Sequence, residues 1–442
     1  MKRSAKPYRV IGGLIATVLA LSLGLPAWAM PPEEARLWRE DLRFMAQEME
    51  KTHKDVYHAI PRAQFAGLVE ALDAKIPALS RHEVIVEMAQ IVVAVGDGHT
   101  NIYPTRDAKI AFRELPVSFT FFGDELRVRA TVESQRSLLG ARVLRIGNSD
   151  VKDAYAAAKK MIGRENEQGA RYWAQYLLAM PEVLHALHII PTVDEVPLTL
   201  ATDKGERRAV LRPLGLAEIM TGDTATLFNR RKGWVDIRDL SGIPDPLWLG
   251  GTAKAFNLEH VGPVLYVQIN KVGDDEGETF AQFAQRVHDE ISATKPDKVA
   301  IDLRLNRGGN GGLTVPFIRS IVQSENIDRP GHFFGIIGPA TFSAAQMLTD
   351  ELEKYTKIAF VGEPTGSKGN HYGDSRRIIL PNSGITVRVA VRYWQYWNPM
   401  DLRDATSPHI AAPLTFDLYR RNVDPALQAI AGYTLEKRAS GP

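Results

Sequence analysis

Apolar residues between positions 33 and 95 recur at helical spacing, as in Leu37, Leu42, Met45 and Met49 and again in Val84, Val86, Met88 and Ile91. This periodicity predicts a helical N-terminal segment, broken at Pro61 and Pro77 where the ring removes a backbone donor. Strand-like runs follow at 117–121, 126–132, 141–146 and 196–201, with helical patterning at 153–162 and 171–187, which reads as a small α+β module. Residues 214–260 are rich in Gly, Pro and Trp with weak periodicity and are expected to connect modules with little strand character.

Beyond Gly262 the pattern changes to alternation. Strands are predicted at 264–269, 298–303, 332–337 and 357–361, with helices at 279–293, 313–323 and 342–355 between and after them. Such alternation implies a layered α/β domain built on a largely parallel sheet, in which sites gather where strand carboxyl ends meet helix N-termini. A chain of 442 residues exceeds one ordinary core, and the expected division is a helical segment at 30–104, the α+β module at 105–213, the connector at 214–260 and the α/β domain at 261–432.

The first 29 residues read differently. Lys2, Arg3, Lys6 and Arg9 precede an apolar run at 10–25, and Pro26-Ala27-Trp28-Ala29 supplies the small residues of a signal-peptidase site. A membrane anchor is the rival reading, but the run falls short of the ~20 apolar residues a span needs. The expectation is a cleaved export signal and a mature protein in the periplasm or outside the cell, with no stable membrane association.

Composition narrows the chemistry. With 45% hydrophobic and 24% charged residues the chain should fold into soluble domains. Its 54 basic and 52 acidic residues leave a net charge of +2 with no long run of one sign, so nothing points to nucleic acid as a partner. The absence of cysteine excludes thiol catalysis, disulfides and Cys-based metal sites.

Three segments place unusual groups at predicted strand ends: Asp302-Leu-Arg-Leu-Asn-Arg-Gly308-Gly309, Gly338-Pro-Ala-Thr-Phe-Ser343-Ala-Ala, and Val361-Gly-Glu-Pro-Thr-Gly-Ser-Lys368-Gly. Ser343 falls at the first turn of a helix, where free amides and the dipole favour developing negative charge. The plainer reading of the same serine is a helix N-cap. Gly308 and Gly309 let bare backbone approach a substrate, and with Ala344 they are the expected donors of an oxyanion hole.

Taken in order, D-L-R-x-N-x-G-G, T-x-S-A-A and V-G-E-x-T-x-x-K-G resemble the three core motifs of the C-terminal processing (tail-specific) serine peptidases. The likeness is strongest over residues 264–372; upstream, Gly96-Asp-Gly-His99-Thr100 and Leu139-Gly-Ala-Arg-Val-Leu-Arg-Ile-Gly147 are also similar to family segments. The resemblance implies a crotonase-like catalytic domain, a PDZ-like identity for the α+β module, Ser343 as nucleophile, and peptides or unfolded proteins as substrates. It implies no metal or organic cofactor.

Two residues could take the serine proton. Lys368 occupies the position of the base in the family's serine/lysine branch, but a lysine must be desolvated or placed beside another cation to be neutral near working pH. His99 needs no such shift. G-D-G-H-T and the stretch from Glu363 to Asp374, with its His371, are closer to the tricorn-like and interphotoreceptor-retinoid-binding-protein-like branch, where a histidine is the base. That context favours His99. For the carboxylate that orients it, Asp401 lies in the region this branch uses, with Asp404 close by.

Two further signals are set aside. His185 and His188 lie three apart on a predicted helix without a third ligand at metal spacing, and the aromatic run Tyr393-Trp394-Gln-Tyr396-Trp397 reads first as strand packing. The expected function is hydrolysis of extended or unstructured peptides through an acyl-enzyme on Ser343. The alternative is a non-catalytic ligand-binding protein that retains the fold, as the retinoid-binding relatives do.

Overall fold

The computed structural model describes residues 30–104, 107–215 and 228–434, so the expected export signal at 1–29 lies outside the described residues. Among them, no helix is long and apolar enough to cross a membrane.

The N-terminal segment folds as three helices: α1 (Pro32–Thr52), α2 (Arg62–Lys75) and α3 (Arg81–Val93). The breaks fall at the two prolines, Pro61 preceding α2 and Pro77 lying in the short turn Ile76–Ala78 that follows it. A capping box between Ser80 and Glu83 starts α3, whose residues from Val84 to Val93 are mostly buried.

Seven strands form the first sheet: β1 (Val117–Phe122), β2 (Glu125–Val132), β3 (Arg142–Ile146), β4 (Ser149–Asp150), β5 (Val196–Thr202), β6 (Gly205–Leu211) and β7 (Trp234–Asp236). The order is β1-β2-β3-β5-β6, with β4 on β3 and β7 on β2, and the paired strands run antiparallel. Helices α4 (Val151–Ala158), α5 (Glu167–Leu177) and α6 (Pro181–Ala186) interrupt it. The helix expected over 171–187 is thus two, because Pro181 cannot continue a helix but is well placed to open one. One buried apolar cluster runs from α1–α3 through this sheet.

A second, six-stranded sheet is built from β8 (Phe256–Val261), β9 (Val264–Ile269), β10 (Lys298–Asp302), β11 (Phe333–Ile337) and β12 (Ala359–Gly362), with β15 (Ile410–Ala411) at its edge. Its order is β15-β12-β11-β10-β9-β8. Strands β9 to β12 and β15 are parallel, and only β8, from the stretch expected to connect modules, runs antiparallel. Every residue of β9, β10 and β11 is buried, as strands covered on both faces require. The covering helices are α7 (Phe280–Thr294), α8 (Thr314–Val322) and α9 (Ala344–Tyr355), whose apolar faces share a core with the sheet.

Between β12 and β15 the chain makes a long hairpin, β13 (Asn370–Ile379) paired with β14 (Thr386–Gln395). Nothing in the alternating α/β pattern forecasts it. Its Val387 and Val389 join the N-terminal core, so the hairpin reaches from the second sheet to the first helices. The architecture is therefore a mixed α/β fold with several sheets.

Candidate active site

Neighbouring parallel strands β10, β11 and β12 release their loops at the same sheet edge, and those loops carry the three segments singled out in the sequence. Short bonds stitch them together. Phe342 N donates to Asn306 O at 3.1 Å, Gly366 N to Thr341 O at 3.1 Å, and the Thr341 hydroxyl to Leu303 O at 2.9 Å.

Ser343 immediately precedes α9 with φ 57° and ψ −125°, a conformation that costs an L-residue about 1–3 kcal/mol and persists only where its surroundings enforce it. Its hydroxyl makes no capping bond to the helix, which removes the plain N-cap reading. The tight turn is possible because Gly308, at φ 106°, presses against it: a Cβ there would stand 2.7 Å from the Ser343 Cβ and 3.0 Å from the Ala344 nitrogen. Gly308 N donates to the Asn306 side chain at 2.9 Å and is thereby engaged. The amides of Gly309 and Ala344 have no acceptor among the described residues. Of the three expected oxyanion donors, these two are open to a ligand.

His99 arrives from the other end of the chain, on the loop after α3. The hairpin carries it in: Asn101 and Arg388 exchange backbone bonds of 3.0 and 2.9 Å, Ala390 N donates to the Thr100 hydroxyl at 3.1 Å, and Ser375 Oγ donates to His99 O at 3.0 Å. The result places His99 Nε2 2.9 Å from Ser343 Oγ. The Phe342 ring lies nearly parallel to the imidazole at 4.6 Å, and the His371 ring at 5.6 Å. Burial, then His371, push the His99 pKa down to about 3, against the pull of Asp97 and the Tyr372 backbone. The ring is neutral across the physiological range and can accept a proton from the serine.

The other candidates stand apart. Lys368 Nζ pairs with Asp404 at 3.4 Å and is 38% exposed, without the burial a lysine base needs. Asp401 binds Arg403 at 2.8 Å, and Arg403 continues to Glu353 at 2.9 Å, so Asp401 is committed to a surface ion pair. Asp374 faces Arg392 at 3.5 Å. His371 is buried, its Nδ1 donating to Lys368 O at 3.0 Å, and burial lowers its pKa. The second ring nitrogen of His99, Nδ1, is buried and meets no hydrogen-bonding carboxylate among the described residues. What the structure assembles is a serine–histidine pair rather than a complete triad.

Two residues that sequence reasoning passed over hold the histidine loop. Asp97 is buried, and its Oδ1 accepts the amides of His99 at 2.8 Å and Thr100 at 2.7 Å. Its Oδ2 faces His53 Nε2 at 2.9 Å. Because His53 Nδ1 already accepts the Asp55 amide at 2.9 Å, the ring proton must sit on Nε2 and donate to Asp97. Burial alone would raise the Asp97 carboxyl, but these bonds hold it below the ordinary value. On the other side Glu165 accepts the Gly98 amide at 2.9 Å, and burial, then Asp97, push its pKa up to about 8. Asp97 was legible as part of G-D-G-H-T; Glu165 carried no local signal.

No group of three or more metal-ligating side chains occurs among the described residues. His185 turns to His82, at 2.9 Å, rather than to His188. The aromatic run packs in part as expected, Trp394 and Tyr396 lying against the core of the second sheet.

A serine on a strained turn, a histidine on its hydroxyl and two open amides thus stand together on a mixed α/β fold. In fold the chain is similar to mature CPAF complexed with lactacystin, with a TM-score of 0.58 at 13% identity over 90% of this chain and 97% of that one. Mature CPAF itself gives 0.57 at 12% identity over 90% and 96% of the two chains. The photosystem II D1 C-terminal processing protease is more distant, at 0.41 and 15% identity over 89% and 97%. In sequence, neither a family model nor a curated protein matches the chain.

Proposed function

We propose that the protein is an exported serine peptidase of the tail-specific type, acting on extended or unstructured peptides through an acyl-enzyme on Ser343. The observation that carries this is the 2.9 Å contact between His99 Nε2 and Ser343 Oγ beside the unengaged amides of Gly309 and Ala344. His99 takes the hydroxyl proton as Oγ attacks the peptide carbonyl carbon, and the oxyanion that forms is held by the two amides. The same proton passes to the leaving amine, the acyl-enzyme remains, and a water activated by His99 releases the acid. No metal or cofactor enters these steps.

The likeness in fold to mature CPAF supports the overall architecture, while the order of the three motifs and the G-D-G-H-T segment support placement near the tricorn-like branch of the tail-specific family, with a crotonase-like catalytic domain and a PDZ-like module over 105–213. The charged, apolar and small-residue sequence of 1–29 supports export to the periplasm or beyond.

A fluorophosphonate probe tests the reading. Labelling is expected on Ser343, mapped by peptide mass spectrometry, and absent from Ser343→Ala. Folded protein that takes no label would instead be the non-catalytic binding protein of the alternative. Export is tested by N-terminal sequencing of the mature chain, where a start near Met30 is expected.

A further inference from the structure

Near the serine turn lies a narrow cleft walled by Arg164, Tyr172, Trp173, Arg307 and Phe342. Phe342 is the residue before the nucleophile, and Arg307 is the residue before Gly308. Two of its walls are thus chain neighbours of the serine and of the glycine that presses on it. Glycines let its backbone walls pack closely: a Cβ on Gly366 would stand 2.2 Å from Pro339 O, and one on Gly169 2.8 Å from Gly366 O.

Its charge is unbalanced. The Arg307 guanidinium lies 4.2 Å over the Trp173 ring and 5.7 Å from Tyr172, and among the described residues it has no carboxylate partner. Arg164 donates to the carbonyls of Lys159 and Ile162 at 2.9 and 3.0 Å, which orient it without neutralising it. By contrast, Arg304 binds Asp302 and Asp424, and Arg238 binds Asp236 and Asp245. A guanidinium preorganised on an indole face offers a planar fork of donors suited to a carboxylate.

We infer that this cleft is a specificity pocket in which Arg307, with Arg164 behind it, binds a carboxylate of the peptide substrate, in the first place an Asp or Glu side chain next to the scissile bond. The inference rests on the peptidase reading for its substrate class. It is a binding claim, however, and can be tested without turnover.

The test uses Ser343→Ala protein and fluorescent hexapeptides that carry one Glu or the isosteric Gln at each position in turn, as C-terminal acids and as C-terminal amides. Glu at one position is expected to bind roughly ten-fold or more tighter than Gln, the range of a charge-assisted hydrogen bond. Arg307→Gln in the same background should erase that ratio, whereas Arg307→Lys should keep part of it. A ratio between acid and amide termini, also lost in Arg307→Gln, would identify the terminal carboxylate as the group held. Equal binding of Glu and Gln, and of acid and amide, overturns the pocket, as does a ratio that survives Arg307→Gln. Fluorophosphonate labelling of Ser343 in the parent protein reports separately on the peptidase reading. Labelling without charge preference sinks the pocket alone, and charge preference without labelling sinks the peptidase alone.

Discussion

His99 Nε2 stands 2.9 Å from Ser343 Oγ although 244 positions of chain separate the two residues. If this pair is the catalytic unit, Ser343→Ala and His99→Ala should each lower kcat on a peptide substrate by about 10⁴-fold or more, and the double variant little further, because the two act together. Lys368→Ala, which breaks only an exposed pair with Asp404, should stay within a few-fold of the parent. Loss of activity on Lys368→Ala with His99→Ala still active would transfer the base to the lysine.

With His99 as the proposed base, its depressed pKa should set the acid limb of the rate profile. Burial and then His371 lower it to about 3, so activity should persist well below the ordinary histidine value of ~6.5. Replacing His371 by Gln removes one of the two depressing influences, and the limb should move to higher pH. In stability the sign is the reverse of a paired histidine. The unfolded chain takes up a proton near pH 6.5 while the folded ring resists until about 3, so acidification through that window destabilises the protein. His99→Gln should flatten that acid loss. Kinetic profiles of the parent and His371→Gln, with melting temperatures of His99→Gln, check both points.

Gly308→Ala should be costly to catalysis. A Cβ would stand 2.7 Å from that of Ser343 and sit at φ 106°, so the serine turn and the Ala344 amide must shift together. A misplaced oxyanion donor typically costs about 10²–10³ in kcat. Unchanged kcat in this variant would mean that the Gly308 contact does not position the nucleophile.

Asp97 is expected to matter through His99 rather than on substrate. Asp97→Ala strands two amides and the His53 Nε2–H in a buried site, for a loss of about 2–5 kcal/mol in denaturant unfolding. Asp97→Asn should not rescue it fully, because all three partners are donors and an amide offers only one acceptor atom. Full stability in Asp97→Asn would argue that His53 has turned over.

Glu165 gives a prediction of opposite slope. Its folded pKa near 8 lies above the unfolded value, so the native state holds the neutral acid and loses stability as pH climbs from about 4.5 through 8. Glu165→Gln keeps an oxygen for the Gly98 amide and has no charge to bury. Its melting temperature should match the parent near pH 5 and exceed it near pH 9; curves that stay parallel would show that Glu165 is ionised throughout.

Much of this was legible in the chain. The prolines at 61 and 77 divide the N-terminal helices where their missing donors require, and strand β9 and helices α7 to α9 fall within two residues of their periodic patterns. Ser343, Gly308, Gly309 and Ala344 announced themselves by sitting at strand ends, and parallel pairing of β10, β11 and β12 makes those ends neighbours. Less visible were β8, hidden in a Gly- and Pro-rich stretch, and the β13–β14 hairpin, whose outward arginines and aromatics blur the alternation.

The sequence by itself determined the local elements, the three loops and the chemical types at the site, because propensity, periodicity and turn chemistry act over a few residues. Only the tertiary structure placed His99 rather than Lys368 against the Ser343 hydroxyl and, among the described residues, withheld a carboxylate from the His99 ring, engaged Gly308 while leaving Gly309 and Ala344 open, and set Arg307 on Trp173 without a counter-charge. Distance, burial and the pairing of charges arise from segments far apart in the chain, and no local pattern encodes them.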